Sequence, residues 1–236
     1  MRTLSIISLF FIFLGFQSCM ITTGKTGNGN VTLENRPVSE FSAIKSSAGI
    51  SVLISQGNKN EIVVETDENL QEYIETTVEN HVLKIYPSTS IRRSKALKVH
   101  VTFQNIENLS ASSASSIRSV SEFKSRNLSV KTSSGAKMIL DVLSENLDVS
   151  ASSGSNITIS GQALNLNAQS SSGSAIKAKN LQTSHCIAKA SSGSDIYVNV
   201  KDELEASASS GADIRFSGNP RVSTKESSGG SIKQRN

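Results

Sequence analysis

Tryptophan is absent from this chain, aromatic residues make up 5% of it, and its 236 residues include only 3 prolines, 2 cysteines and 3 histidines. Each shortage excludes something. With so few large rings, the composition argues against a compact core built around aromatic anchors. Two cysteines cannot make a disulfide framework. The histidines, His81, His100 and His185, stand far apart, and no Cys-rich spacing accompanies them, so no zinc centre is encoded. The formal charge of +4 is scattered, with no basic stretch interleaved with aromatics, which argues against a nucleic-acid surface. The Gly-x-Ser-x-Gly elbow of α/β-hydrolases is missing as well.

Long apolar runs are scarce too, and the one present lies at the start. Leu4 to Phe16 follows the positive Arg2 and is too short to span a bilayer, which suits the core of a signal peptide over residues 1–18. It ends in "FQSC", which resembles a bacterial lipobox, although Phe16 and Gln17 stand where Leu and a small residue are usual. The resemblance implies cleavage before Cys19 and lipidation of its thiol, hence an exported protein held by a lipid in the cell envelope, at the outer membrane. Ordinary secretion with cleavage nearby is the alternative. Cys186 is then left without a disulfide partner. Residues 19–36, with "GKTGNGN", read as a flexible tether. The "GKT" inside it is not a P-loop, because Cys19 stands where that motif needs its first Gly and no strand precedes it.

What the chain has in quantity is Ser-Ser-Gly. The triplet recurs with Gly135, Gly154, Gly173, Gly193, Gly211 and Gly229, at intervals of 18 to 20 residues, and "SSASSI" around Ala114 is a degenerate earlier copy. A fixed period of this size marks a solenoid. Aligned on the glycine, the copies share apolar columns. Leu128, Leu147, Leu166, Cys186, Leu204 and Val222 form one; Val130, Val149, Ala168, Ala188, Ala206 and Thr224 a second. Met138, Ile157, Ile176, Ile196, Ile214 and Ile232 form a third, and Leu140, Ile159, Ala178, Val198 and Phe216 a fourth. All share one parity and the other parity is polar, the period-two pattern of strands with one buried face. One such coil cannot bury its apolar face alone, but stacked coils can. The leucine-rich and hexapeptide alternatives fail on spacing. The expectation is an all-β, right-handed parallel β-helix with coils of about 18–20 residues.

The triplet itself reads as a corner. Its serines (Ser134, Ser153, Ser172, Ser192, Ser210 and Ser228) fall on the inward parity beside Gly135, Gly154, Gly173, Gly193, Gly211 and Gly229. Glycine suits a bend, and a small hydroxyl suits its crowded inside. Catalysis needs one special serine beside a base; six equivalent ones argue for architecture.

Residues 37–105 alternate more loosely, in "ISVLISQG", "EIVVET", "HVLKIYP" and "LKVHVTF", and are expected to be irregular strands leading into regular coils over 106–236. Leu70, Ile74 and Val78 have helical spacing, but β-branched residues follow, so the conformation of 70–80 stays open. "FSAIKSSAGISVLISQG", the pair of strands ending "VLKIYP" and the later "SSGS-x-I" coils together resemble the putative auto-transporter adhesin, head GIN domain family, over roughly Pro37 to Lys233. That resemblance, to a family common among Bacteroidetes lipoproteins, implies a right-handed β-helix similar to pectin lyases without their catalytic residues, and an adhesion role.

One constellation invites chemistry. Asp195 and Asp213, two residues after their glycines, should stack on adjacent coils, where paired carboxylates hold Ca²⁺ or act as acid and base on a polysaccharide. Lys177 and Arg215 flank that column, and no other residue completes either site, so a solvated face is the plainer reading. Cys186 replaces a Leu and reads as a small buried hydrophobe. The function expected is therefore a non-catalytic, lipid-anchored envelope protein, adhesin-like or a scaffold. It carries no cofactor, meets the membrane through Cys19 and binds a glycan or protein ligand, with self-association left open. A polysaccharide-acting enzyme of pectin-lyase type is the alternative.

Overall fold

In the computed structural model, which describes residues 24–235, the chain is all-β and its coils stack as a parallel β-solenoid of about seven turns. The first strands are β1 (Lys25–Thr26), β2 (Val31–Arg36), β3 (Ala43–Ser46), β4 (Ser51–Gln56) and β5 (Glu61–Asp67). A short 3-10 helix over Glu68–Tyr73 leads to β6 (Ile74–Glu79), β7 (Val82–Pro87), β8 (Ile91–Arg93) and β9 (Leu97–Phe103). The coils follow: β10 (Asn108–Ala111), β11 (Ser116–Ser119), β12 (Phe123–Thr132), β13 (Lys137–Ala151), β14 (Asn156–Ser170) and β15 (Ala175–Ala190). They end with β16 (Asp195–Ala208), β17 (Asp213–Ser217), β18 (Arg221–Glu226) and β19 (Ser231–Gln234). No helix among the described residues is long and apolar enough to cross a membrane.

The sequence columns are structural columns. Leu128, Leu147, Leu166, Cys186, Leu204 and Val222 pair in register from strand to strand, as do Met138, Ile157, Ile176, Ile196, Ile214 and Ile232. Ile157, Ile176, Ile196 and Ile214 are fully buried, and each such side chain contributes roughly 1.5–3 kcal/mol by leaving water. Val222 departs from its column by remaining 45% exposed, because β18 has β16 on one side and no described strand on the other. The uneven coil lengths are absorbed on β15, where the register shifts between Thr158 and Ser160 of β14 and between Ala178 and Gln182.

Each long strand also bends. In β13 the buried positions are Met138, Leu140 and Val142, then Leu147, Val149 and Ala151, so the parity flips between Val142 and Leu147. Ser144 holds that bend, its hydroxyl donating to the Asn146 carbonyl at 2.9 Å. Ser125 and Thr183 make the same bond to Asn127 and His185. Parity counting from the glycines does not reveal this second corner.

At the N-terminal end the structure departs from two expectations. Regular stacking begins at β3 and β4 rather than near residue 106: β3 pairs parallel with β10 and β4 with β11. Ser47-Ala48-Gly49 between them turns like a later triplet, with Ala48 and Gly49 at φ 56° and 80°. The expected tether is strand-paired from Lys25 onward, β1 lying parallel to β8 and β2 antiparallel to β5. On the far side of β3 and β4 lie β7 and β9, still parallel to them. The next ladders, β6 on β7 and β5 on β9, are antiparallel, and that reversal ends the coil series. The helical spacing at 70–78 resolves into the 3-10 helix, which buries Leu70, followed by the strand β6.

Candidate functional site

The Ser-Ser-Gly corners are tight turns of one geometry. Ser134, Ser153, Ser172, Ser192, Ser210 and Ser228 have φ between 48° and 55°, and their following glycines between 64° and 76°. Two successive left-handed residues define a type I′ turn, closed where the Ala136 N–H donates to Ser133 O at 3.1 Å and Ser155 N–H to Ser152 O at 3.2 Å. The expectation that these serines point inward is therefore corrected. The left-handed pair swings them out, and all six are exposed. Their carbonyls, not their hydroxyls, carry the stack: Gly135 N–H donates to Ser153 O at 3.1 Å, Gly154 to Ser172 at 3.0 Å and Gly173 to Ser192 at 3.1 Å.

The inward hydroxyls belong to the residue after the glycine, which is a serine in three of the six copies and Ala136, Ala212 or Gly230 in the others. Ser155, Ser174 and Ser194 are buried. Ser174 Oγ lies 2.8 Å from both Ala151 O and Ser170 Oγ, and accepts the Ser171 N–H at 3.2 Å. Ser194 Oγ donates to Ser170 O at 2.8 Å. These bonds consume the hydroxyls in joining adjacent coils.

Asp195 and Asp213 do stack, in register on β16 and β17. Arg215 binds both, Nη1 at 3.3 Å from Asp195 and Nη2 at 3.0 Å from Asp213. Its guanidinium also donates to the Tyr197 hydroxyl and lies 5.2 Å from the centre of that ring. The cation between the two carboxylates is thus a side chain of the protein, and the column is a closed, half-exposed polar network. Among the described residues no group of three or more His, Cys, Asp or Glu is placed to hold a metal.

The remaining candidates are dispersed. Cys186 is buried in its leucine column, and burial pushes its thiol up to about 12. His100 Nε2 lies 2.8 Å from Glu65 on the surface of the N-terminal region. Lys25 of the "GKT" stretch lies in β1, over the ring of Tyr73. Cys19 lies outside the described residues.

The feature missed in the sequence is a groove of about 890 Å³ along the second corner. It crosses β12 to β16, so its length is on the order of 20 Å at strand spacing. Ile106, Leu143, Ala163 and Leu164 give it an apolar component, and Leu164 is 50% exposed. Gln56, Asn127, Gln162 and Gln182 line it with amides. Arg126 and Glu145 neutralise one another across it at 2.9 Å. Along its rim Asn127, Asn146 and Asn165 form a ladder of side-chain amides, 2.7 and 2.9 Å apart. The signal for it was available: the parity flip after Val142, and Ser125, Ser144 and Thr183 in one column, with Ala163 between the last two.

The model of the putative auto-transporter adhesin, head GIN domain family matches residues 40–220. The chain belongs to this family. A putative adhesin from Bacteroides fragilis superposes with a TM-score of 0.84 at 18% identity, covering 90% of this chain and 100% of that one. A second putative adhesin, from Parabacteroides merdae, gives 0.75 at 18% identity, covering 90% and 99%. A putative lipid binding protein from Parabacteroides distasonis gives 0.69 at 19% identity, covering 91% and 100%. At these identities the likeness concerns the fold. No curated protein matches the chain.

Proposed function

We propose that this head GIN domain protein is a non-catalytic, lipid-anchored component of the bacterial cell envelope that binds an extended glycan or protein segment in an adhesin-like role. The groove carries the reading. Amides and hydroxyls both donate and accept, so they suit a polar polymer. Their repetition from β12 to β15 favours a linear ligand lying along the solenoid axis. Support also comes from where the chemical groups go: the buried Ser hydroxyls join coils, and Arg215 binds the paired aspartates.

The test is a glycan array with the purified mature protein, beside an activity screen on acidic polysaccharides. The expected result is binding without product release, weakened by combining Gln162→Ala with Gln182→Ala. Release of oligosaccharides would replace this reading with that of a polysaccharide-acting enzyme. The anchor is tested separately. Palmitate fed to a bacterial host should label the wild type and miss Cys19→Ala, and equal labelling of the two ends the lipoprotein reading.

A further inference from the structure

At the N-terminal end the structure gathers cations that are spread along the sequence. β1 and β8 form a two-stranded ribbon, fastened by Lys25 N–H to Ser90 O and Gly27 N–H to Arg93 O, both 2.8 Å. The ribbon and its exit carry Lys25, Arg92, Arg93 and Lys95, all exposed. Among the described residues none of the four is in a salt bridge, while Arg36, Lys59, Lys84 and Lys98 on neighbouring strands and turns all are. The acids of the adjoining segment, Asp67 and Glu68, bond instead to neutral groups and form no ion pair with any of the four. Asp67 is buried beneath backbone N–H groups of Gly29 and Lys95, and Glu68 is occupied by Asn30. Tyr73 holds the Lys25 ammonium charged, and Glu72 adds a smaller field there. A cluster of four cations on a wet ribbon seeks anions.

The position of the ribbon says which anions. Five residues separate Cys19 from Lys25, so the ribbon is held within about 21 Å of an acylated Cys19 even when that segment is fully extended. Such a leash keeps the ribbon beside lipid headgroups, at a distance comparable to the range of their surface potential. We infer that the β1/β8 ribbon is a membrane-contacting face that binds anionic phospholipid headgroups and, with the lipid on Cys19, makes a two-part anchor. Each cation near an anionic surface adds to the attraction, and a chain of acyl carbons plus a basic patch is a recurrent way to turn marginal membrane attachment into stable attachment. The solenoid then stands with its N-terminal end on the membrane.

This inference rests on the lipid-anchor reading, and one experiment separates them. The full chain, extracted with its anchor from a bacterial host, is reconstituted into phosphatidylcholine vesicles with or without phosphatidylglycerol. Lysines are then modified with an amine-acylating reagent and quantified by mass spectrometry. Lys25 and Lys95 should react about tenfold more slowly on anionic vesicles, while Lys137 and Lys189 of the coils should not change. High salt should abolish the difference, as should R92E combined with R93E, with the protein still vesicle-bound. Equal reactivity of Lys25 and Lys95 on both vesicle types overturns the inference and leaves the anchor standing. Salt-sensitive protection in a protein that carries no acyl group on Cys19 supports the ribbon and overturns the anchor.

Discussion

The coils and the N-terminal region bury apolar side chains equally well but specify their structure by different means. From β12 to β17 the same residue types return in the same columns, and each coil is pinned by the one before it. No position is unique. Across β2, β5, β6, β7 and β9 the ladders are mostly antiparallel, and order depends on single polar residues. Buried Gln71 donates to Thr32 O and Val64 O and accepts from Arg36. Buried Asp67 accepts from Gly29 and Lys95 at 2.6 and 2.7 Å. The edge-to-face pair Phe103 and Phe123, 5.5 Å apart, lies where the two regions meet. Repetition tolerates local variation and suffers from a break in the column; unique contacts behave in the opposite way.

The largest effect should come from breaking a column. Ile176 is fully buried between Ile157 and Ile196. Ile176→Asp places an unpaired charge there, at a cost on the order of 5 kcal/mol or more, and adjacent coils lose their template with it. Circular dichroism should show loss of the cooperative thermal transition. A melting curve like that of the parent would mean that the column is misassigned.

Glycine substitutions sharpen the contrast within the coils. Gly161, at φ 107°, is placed so that a Cβ would run into the Val142 carbonyl oxygen, whereas the space around Gly173, at φ 66°, is open. Gly161→Ala should cost about 3 kcal/mol from strain and clash together, and Gly173→Ala about 1 kcal/mol from the left-handed backbone alone. Denaturant titration of the two variants checks the ranking. Equal losses would show that the second corner yields more easily than its geometry implies.

Which parts were legible in the sequence follows from the same contrast. Repetition multiplies a weak signal, so the solenoid and the registers of Leu147 and Ile176 can be read from alternation and period alone. The direction of Ser172 cannot, because counting by twos assumes extended backbone, and the residues at both turn centres are left-handed. The groove was hidden by a parity flip inside β13, at a polar stretch that resembles solvent-facing strand. The strands at Lys25 and Val31 were hidden because "GKTGNGN" has the composition of a linker, and what orders it is Asp67, a residue far along the chain. Long-range unique contacts leave no period to find.

Asp67 gives the N-terminal region a pH dependence that the coils lack, for it is the one buried carboxylate among the described residues. Burial pushes its pKa up, but the backbone N–H groups of Lys95, Gly29 and Ala96 outweigh that and hold it below the ordinary carboxylate value. A depressed folded pKa means stability that is complete above the unfolded value, near 4, and lost as the pH falls through the folded one. Acidification below about pH 4 should therefore release the Gly27–Asn30 segment before the coils melt. Asp67→Asn should do the same at neutral pH, losing about 2 kcal/mol of local protection, since an amide sets its own N–H against the backbone donors. Hydrogen exchange at the Gly29 and Lys95 amides, compared with that at Gly173, reads both effects. Simultaneous release of Gly173 would show that the two regions unfold as one.

The smallest effects test how a corner uses its serines. Ser172 is exposed at φ 55°, and only its carbonyl is engaged, by the N–H of Gly154 at 3.0 Å. Ser172→Ala should thus change stability by no more than about 0.5 kcal/mol, the usual range for an uninvolved surface position. Ser172→Asn should be neutral or slightly stabilising, because asparagine tolerates the left-handed region better than serine. Two residues on, Ser174 is buried, and its hydroxyl serves Ala151 O, Ser170 Oγ and the Ser171 N–H. Ser174→Ala removes that junction and leaves the buried Ser170 hydroxyl without its side-chain partner, at a cost of about 1–2 kcal/mol. Thermal melts of the three variants should place Ser174→Ala lowest and Ser172→Asn highest. If Ser172→Ala proves the more damaging of the two alanine changes, the inward hydroxyl is the one before the glycine after all, and the turn assignment fails with it.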